Sequence, residues 1–211
     1  MLGCYECYST IESLYKNGST GGVASTLGYF LLNRDIVDNV LVMRRSGTFL
    51  ARTLNDCIKS CGSIYQNLPY DKMKDGKTGQ IGKPCDMDDQ YCFRISLFCS
   101  GVLKEDISKK QLRSLSSSER YFFQLKNKPF KCMFCRDHMG VNADVSVGDS
   151  QLHPKINHII IHNEKGARIF NDAVDSGLIY IVREIDIDRI KHKQPYLFSG
   201  GILRWLLYQI R

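Results

Sequence analysis

Apolar residues recur at helical spacing in two stretches of the chain. The first stretch predicts a helix that begins after the glycine-rich loop Gly18–Gly22, with one apolar face made by Val23, Leu27, Phe30 and Leu31. The second predicts a helix over Glu164–Ser176, with Gly177 as its stop. Both helices have one apolar face, so each is expected to pack on a core.

Short apolar runs bounded by turn residues predict strands. They cover Ile36–Met43, Phe49–Thr53, Phe93–Phe98, Ala143–Val147, His158–His162 and Leu178–Val182. One or two helical turns are predicted over Asn55–Cys61, a loop over 71–84 and a polar surface helix over 104–120. Strands that alternate with helices are typical of α/β proteins, so we expect a mixed sheet with flanking helices.

The chain ends in an amphipathic segment. Gly200 and Gly201 lead into a predicted helix whose apolar face is made by Leu203, Leu206, Leu207 and Ile210. This face is expected to pack on the protein's own core, on a partner subunit or on a membrane surface. No apolar stretch reaches the roughly 18–20 residues that a membrane helix needs, so no membrane span is predicted. Residues Met1–Ser9 do not resemble a secretion signal, which favours a cytoplasmic location.

Composition narrows the class of partner. The 211 residues are 43% hydrophobic and 24% charged, as in a soluble globular protein. The 29 basic and 22 acidic residues give a net charge of +7, which favours anionic ligands or acidic proteins. The basic residues are scattered rather than gathered in a stripe, so a nucleic-acid partner is not predicted.

Nine cysteines are the strongest chemical signal. An odd number without a secretion signal disfavours a disulfide framework and leaves metal binding, redox chemistry or burial. Cys132 and Cys135 form a C-x-x-C pair, and Cys85 and Cys99 lie at predicted strand-to-loop transitions. Four such thiolates can enclose a [4Fe-4S] cluster or a tetrahedral zinc, and spacing does not choose between them. Core packing is expected for the others, Cys4, Cys7, Cys57, Cys61 and Cys92.

The loop Gly18–Gly22 has the physical properties of a phosphate site. Small residues let backbone amides approach an anion, and the start of the following helix favours negative charge. The chain has no Walker loop and no G-x-G-x-x-G motif, so neither standard nucleotide-binding loop is predicted.

Taken in order, short motifs along the chain resemble the beta-subunit family of coenzyme F420 hydrogenases and dehydrogenases, whose members are iron–sulfur flavoproteins. The motifs are Gly3–Ser9, Ser19–Val23, Ile36–Val40, Phe49–Thr53, Gly62–Tyr65, Gly82–Cys85, Leu97–Gly101, Cys132-x-x-Cys135 and Ala143–Asp149. They cover about residues 3–183. Each motif is modest alone, and their common order carries the resemblance.

The resemblance implies FAD, a [4Fe-4S] cluster, and hydride exchange with the deazaflavin coenzyme F420. The cluster ligands that it implies are Cys85, Cys99, Cys132 and Cys135. The cofactor-binding residues that it implies are Ser19, Thr20, Gly21, Gly22, Gly62, Ser63 and Tyr65. We accordingly expect two lobes, an N-terminal flavin-loop lobe at 1–80 and a C-terminal lobe at 81–211 that carries the cysteine cluster and the terminal helix.

The expected function is that of an oxidoreductase subunit. It would pass electrons between reduced coenzyme F420 and a one-electron carrier protein or a hydrogenase- or dehydrogenase-type partner subunit. Departures from the family pattern point to a shortened member. Ile64 stands where the family commonly has a lysine, and the intervals around Cys99 are short. The alternative is a non-redox protein that holds structural zinc or no metal.

Overall fold

A computed structural model gives the fold of the chain. The residues that it describes are 2–18, 20–44, 47–61, 64–65, 93, 95–97, 107–108, 114–116, 118–119, 122–123, 126, 140, 143–150 and 153–193. Among them no helix is long and apolar enough to cross a membrane. The predicted terminal helix at 202–211 and the loop at 71–84 lie outside these residues.

The described residues form helices and strands in alternation. The helices are α1 Glu12–Asn17, α2 Val23–Asn33, α3 Leu54–Ser60, α4 Glu164–Asp175 and α5 Ile187–Lys193. The strands are β1 Gly3–Ser9, β2 Val40–Arg44, β3 Gly47–Ala51, β4 Ile64–Tyr65, β5 Ile95–Leu97, β6 Ile107–Ser108, β7 Val145–Asp149, β8 Asn157–Ile161 and β9 Ile179–Glu184.

Five strands make one mixed sheet in the order β5-β7-β8-β1-β9. The pair β5 and β7 is parallel, and the pairs β7–β8, β8–β1 and β1–β9 are antiparallel. The predicted mixed sheet with flanking helices is thereby confirmed. Two smaller antiparallel pairs, β2 with β3 and β4 with β6, complete the described strands.

One face of the sheet packs on helices and forms the main core. Val145, Val147, Ile159 and Ile161 from the sheet are at most 2% exposed and join Leu27, Phe30, Leu31 and Phe170 from α2 and α4. Side chains alternate between the two faces of a strand, so the residues between these positions lie on the opposite face. That second face carries Cys4, Glu6, Ser146, His158 and Ile160.

Both long predicted helices are present for the reasons that the sequence suggests. In α2, all four residues of the predicted apolar face are at most 2% exposed. Helix α4 begins at Asn163, whose side chain accepts a hydrogen bond from the backbone N–H of Gly166. It ends before Gly177, which adopts a φ of 72°. A left-handed residue directly after a helix favours glycine, as predicted.

Two sequence-based expectations need correction. Strand β1 was not predicted, although it lies between β8 and β9 in the sheet. The surface helix predicted over 104–120 is wrong at Ile107 and Ser108, which form β6 and pair with Tyr65 and Ile64 of β4. In that case pairing with a distant strand overrides a polar local pattern.

Strand β1 joins the two ends of the described chain. It comes from the first nine residues, whereas both of its sheet neighbours follow residue 156. The proposed lobe that begins with residue 1 therefore contributes a strand to the sheet of the lobe that follows residue 80. The boundary between 1–80 and 81–211 stays a prediction.

Candidate functional site

The glycine-rich loop connects α1 to α2 and lies beside the end of β1. The backbone N–H of Ser9 donates a hydrogen bond of 2.8 Å to the carbonyl of Gly21. Thr20 and Gly21 are buried, and Gly22 is the N-cap of α2. The structure thus brings together three of the predicted cofactor residues, Thr20, Gly21 and Gly22. Ser19 lies outside the described residues.

Asn157 of β8 holds this loop in place. Its side-chain carbonyl accepts a hydrogen bond of 3.2 Å from the backbone N–H of Val23. Its amide group donates to the hydroxyl of Thr20 at 2.7 Å and to the carbonyl of Gly148 at 3.1 Å. Asn157 is 4% exposed, so these bonds are shielded from water and define the path of the loop. Sequence analysis did not single out Asn157, because its partners in the loop and α2 lie more than 130 positions away.

Packing within the protein accounts for both glycines of the loop. A Cβ atom on Gly21 would lie 2.7 Å from the side-chain oxygen of Asn157 and 3.1 Å from the carbonyl of Cys7. Gly22 has a φ of 75°, and a Cβ there would lie 2.7 Å from the carbonyl of Leu14. The fold itself therefore requires these glycines, which makes a valine at Gly21 unsuitable as a specific test of ligand binding.

Lys155, in the turn between β7 and β8, stabilises the start of the loop through hydrogen bonds. Its ammonium group donates to the carbonyls of Tyr15 at 3.2 Å, Lys16 at 3.4 Å and Gly18 at 3.1 Å. It also lies 5.5 Å from the centre of the Tyr15 ring. An ammonium group has three donors, and here they satisfy the carbonyls at the end of α1. Lys155 thus fixes the entry to the loop and brings a positive charge beside it.

The start of α2 is suited to an anion. The first N–H groups of a helix have no acceptor within the helix, and here the N–H of Val23 donates to Asn157. The N–H groups of Ala24 and Ser25 follow, at the positive end of an 11-residue helix with no acidic residue in its first turn. Together with the charge of Lys155, these donors fit a phosphate of a nucleotide cofactor.

The end of α3 meets the start of α2 at the same place. The thiol of Cys61 lies 3.4 Å from the hydroxyl of Ser25, in the first turn of α2. The predicted cofactor residues Gly62 and Ser63 follow directly in the chain, although they lie outside the described residues. Tyr65 is described only through its backbone, which pairs in β4 with Ile107.

The four described cysteines are not gathered with other ligands into a metal site. Cys4, Cys7 and Cys57 are at most 3% exposed, as the sequence predicted. Burial raises the pKa of the Cys4 and Cys57 thiols to about 12, and also raises that of Cys7 and Cys61. The predicted ligands Cys85, Cys99, Cys132 and Cys135 lie outside the described residues, as does Cys92. Elsewhere in the described chain no group of three or more potential ligands occurs.

A second polar cluster lies on the other face of the sheet and was missed in the sequence. Glu6 of β1 is 1% exposed and accepts three hydrogen bonds. Arg183 donates at 2.6 Å, His158 at 3.0 Å and Ser150 at 3.1 Å. Because Glu6 and Arg183 are 177 positions apart, no local pattern could have indicated this cluster.

The cluster fixes the charge of its members. Burial alone would raise the pKa of Glu6, but hydrogen bonds from Arg183, His158 and Ser150 outweigh it and lower that pKa to about 2. Burial lowers the pKa of His158 below its ordinary value of 6.5. At neutral pH the cluster therefore contains a carboxylate, a guanidinium and a neutral imidazole.

Two family models match most of the chain. Residues 4–73 match the N-terminal model of the coenzyme F420 hydrogenase/dehydrogenase beta subunit. Residues 102–186 match the model of its C terminus. The two matches follow each other in the family's order, and the first includes the loop before α2.

A chain of a solved protein complex has a fold similar to that of this chain. The chain is similar to a chain of the F420-reducing [NiFe] hydrogenase complex from Methanosarcina barkeri, with a TM-score of 0.66 and 20% identity. The likeness covers 92% of this chain and 88% of that one. At this identity it establishes the fold alone.

A curated relative is an uncharacterized protein of Methanocaldococcus jannaschii, 21% identical over 235 positions. The alignment covers 83% of this chain and 65% of the relative. The chain thus spans about two thirds of the length of the curated relative that it matches. Because 235 positions exceed the 211 residues of this chain, the relative carries residues inserted within the aligned region.

Proposed function

The chain belongs to the coenzyme F420 hydrogenase/dehydrogenase beta-subunit family, and on that premise we propose that it is an iron–sulfur flavoprotein subunit. It passes electrons between reduced coenzyme F420 and a one-electron carrier or partner subunit. The observation that carries this proposal is the pair of family matches, which together include residues 4–73 and 102–186. A cytoplasmic location and a hydrogenase- or dehydrogenase-type partner belong to the same proposal.

The loop before α2 supports the flavin part of the proposal. The N–H groups at the start of α2 would bind a phosphate of FAD, and Asn157 and Lys155 hold the loop in the conformation that presents them. Cys61, which contacts Ser25 in the first turn of α2, directly precedes the proposed cofactor residues Gly62 and Ser63 in the chain. When bound, the flavin supplies the exchange between a two-electron hydride and single electrons.

The cluster part of the proposal rests on the cysteine motifs that resemble those of the family. We propose Cys85, Cys99, Cys132 and Cys135 as the ligands of a [4Fe-4S] cluster. A cluster accepts one electron at a time, which suits transfer to a carrier protein.

The departures from the family pattern bear most on the proposed binding of the deazaflavin. Ile64 removes a cation that is common in the family, and the coenzyme is anionic. A desolvated charged contact is typically worth about 1.5–3 kcal/mol. We propose that the isolated chain binds flavin more tightly than the deazaflavin, and that a partner subunit completes the deazaflavin site. The net charge of +7 favours both the anionic coenzyme and an acidic carrier.

Replacing one proposed ligand tests the cluster. In Cys132→Ser, prepared anaerobically, we expect most iron and sulfide to be lost, because each thiolate holds one iron. Cys92→Ser is the matched control and should keep its iron. Iron and sulfide measured per chain decide the question. Unchanged iron in Cys132→Ser, or zinc in place of iron in the unaltered chain, would contradict the assignment.

A further inference from the structure

Helix α5 packs on the second face of the sheet through a small apolar cluster. Cys4 of β1 and Ile160 of β8, which lie directly opposite each other, form an apolar row on this face. Ile185 and Ile190 join this row, and Ile187 packs against it as a partly buried residue. Among the side chains of α5 that the structure describes, Ile190 alone is buried. An element with so few buried apolar side chains opens more readily than a helix of the main core.

A polar row lies beside the apolar one. It consists of Glu6 of β1 and His158 of β8, which are also directly opposite each other. They follow two positions along their strands from Cys4 and Ile160. Residues two apart on a strand share a face and are roughly 7 Å apart, so the two rows are neighbours. Arg189 of α5 is near enough for its charge to act on His158. The helix that covers the apolar row therefore also borders the polar row.

The packed arrangement has no acceptor for a second proton on His158. Glu6 is a carboxylate that only accepts hydrogen bonds, so the Nε2 atom of His158, 3.0 Å away, carries the proton of the neutral ring. The Nδ1 atom of His158 is buried and has no hydrogen-bond partner. A proton on Nδ1 would create a buried charged donor without an acceptor, which is costly.

The charges around His158 come from three elements. Burial lowers the pKa of His158, and Glu6 of β1 opposes this shift through its hydrogen bond and its charge. The charges of Arg183 on β9 and Arg189 on α5 lower the pKa further. The carboxylate of Glu6 is already paired with Arg183 at 2.6 Å, and Gly148, opposite His158 on β7, brings no side chain. A second proton on His158 would therefore put three positive charges around one carboxylate.

We propose that α5 is a proton-sensitive cover: when His158 takes up a second proton, α5 detaches from the second face and exposes the apolar row of Cys4 and Ile160. Detachment moves Arg189 away from the imidazole and lets water reach Nδ1, so the detached arrangement binds the proton more tightly. By linkage, acid favours detachment and a loosened α5 favours the proton. Glu6 stays ionised throughout, because its pKa is about 2.

Amide hydrogen exchange of the full chain at pH 7 and pH 5.5 tests this inference. After correction for the intrinsic exchange rate, we expect protection at 190–193 in α5 to fall up to about tenfold, while protection at 169–175 in α4 changes little. In His158→Gln the fall should be absent. His162→Gln changes the other histidine of β8 and its end, whose Nε2 lies 2.7 Å from the hydroxyl of Ser146, and should keep the fall. An equal loss in α5 and α4, or a fall that persists in His158→Gln, would overturn the inference.

A second measurement follows the linkage in the opposite direction and leaves the polar row intact. Ile190→Ala removes a buried side chain of α5, so α5 detaches more readily. We expect the pKa of His158, followed by nuclear magnetic resonance of its imidazole, to rise towards its ordinary value of 6.5. Arg189→Gln should raise it too, whereas Arg34→Gln, an exposed arginine after α2, should leave it in place. A pKa of His158 that is the same in Ile190→Ala and the unaltered chain refutes the inference. Neither measurement involves a cofactor, so the proposed function is tested separately.

Discussion

At the scale of single residues, a few buried polar side chains connect parts of the chain that are far apart in sequence. Asn157 connects β8 to the loop before α2 through hydrogen bonds. Lys155 connects the turn between β7 and β8 to the end of α1. Glu6 connects β1 to β8 and β9. Each is largely satisfied by its partners, so each contributes to a defined local conformation. Their positions follow from the fold, and none is evident from spacing in the sequence.

Glu6 should make the chain sensitive to acid. Its carboxyl has an ordinary pKa of 4.5 and a pKa of about 2 in the folded chain. The shift corresponds to about 3 kcal/mol of stability, present above pH 4.5 and lost as the pH falls towards 2. His158 has a lowered pKa, so a further loss begins as the pH falls below 6.5. Protonation of Glu6 and protonation of His158 therefore both lower the stability of the fold as the pH falls.

Urea unfolding at pH 7, 5 and 3 measures this sensitivity. We expect Glu6→Gln to be less stable than the unaltered chain at pH 7 and to lose less stability between pH 5 and 3. Glu12→Gln, which changes an exposed glutamate, is the control and should follow the unaltered chain. Parallel pH dependences for Glu6→Gln and the unaltered chain would show that Glu6 is not the responsible group.

At the scale of elements, sequence patterns identified those whose stability is local. The apolar face of α2 and the stop of α4 at Gly177 are visible in the sequence and are confirmed. Strand β1 was missed because its buried glutamate looks like a surface residue until Arg183 and His158 are beside it. The cluster around Glu6 was missed for the same reason.

The loop between α1 and α2 was predicted better than the contacts that hold it. Its glycines and the following helix are evident in the sequence, whereas Asn157 and Lys155 come from β8 and the turn before it, about 140 positions later. The glycines also serve packing against Asn157 and Leu14, which no local pattern shows. The predicted ligands of the metal cluster lie outside the described residues and stay a prediction.

Lys155→Met tests whether the turn between β7 and β8 preorganises the flavin loop. The change removes three hydrogen bonds from the ammonium group and a positive charge beside the loop. We expect the affinity for FAD, followed by flavin fluorescence, to fall roughly tenfold, a loss of about 1.4 kcal/mol. Lys16→Met alters an exposed lysine of α1 and is the control. Equal FAD affinities in both variants would refute the role of Lys155.

At the scale of the whole molecule, one sheet unites the first strand of the chain with strands that follow residue 156. The match to the N-terminal family model ends at residue 73 and the match to the C-terminal model begins at residue 102. The predicted boundary at 80 lies between them. A shared sheet means that the loop before α2 and the C-terminal strands are positioned together, since Asn157 belongs to β8 and holds the loop.

The central claim is that the chain is an iron–sulfur flavoprotein that exchanges electrons with coenzyme F420. An anaerobic absorption spectrum of the purified full chain, recorded before and after addition of reduced coenzyme F420, tests it most directly. We predict flavin bands above a broad iron–sulfur shoulder, and bleaching of the flavin bands that is slow in the isolated chain. A colourless protein without flavin or iron, or a yellow-brown protein whose spectrum stays unchanged at saturating reduced coenzyme with its partner subunit present, would contradict the claim.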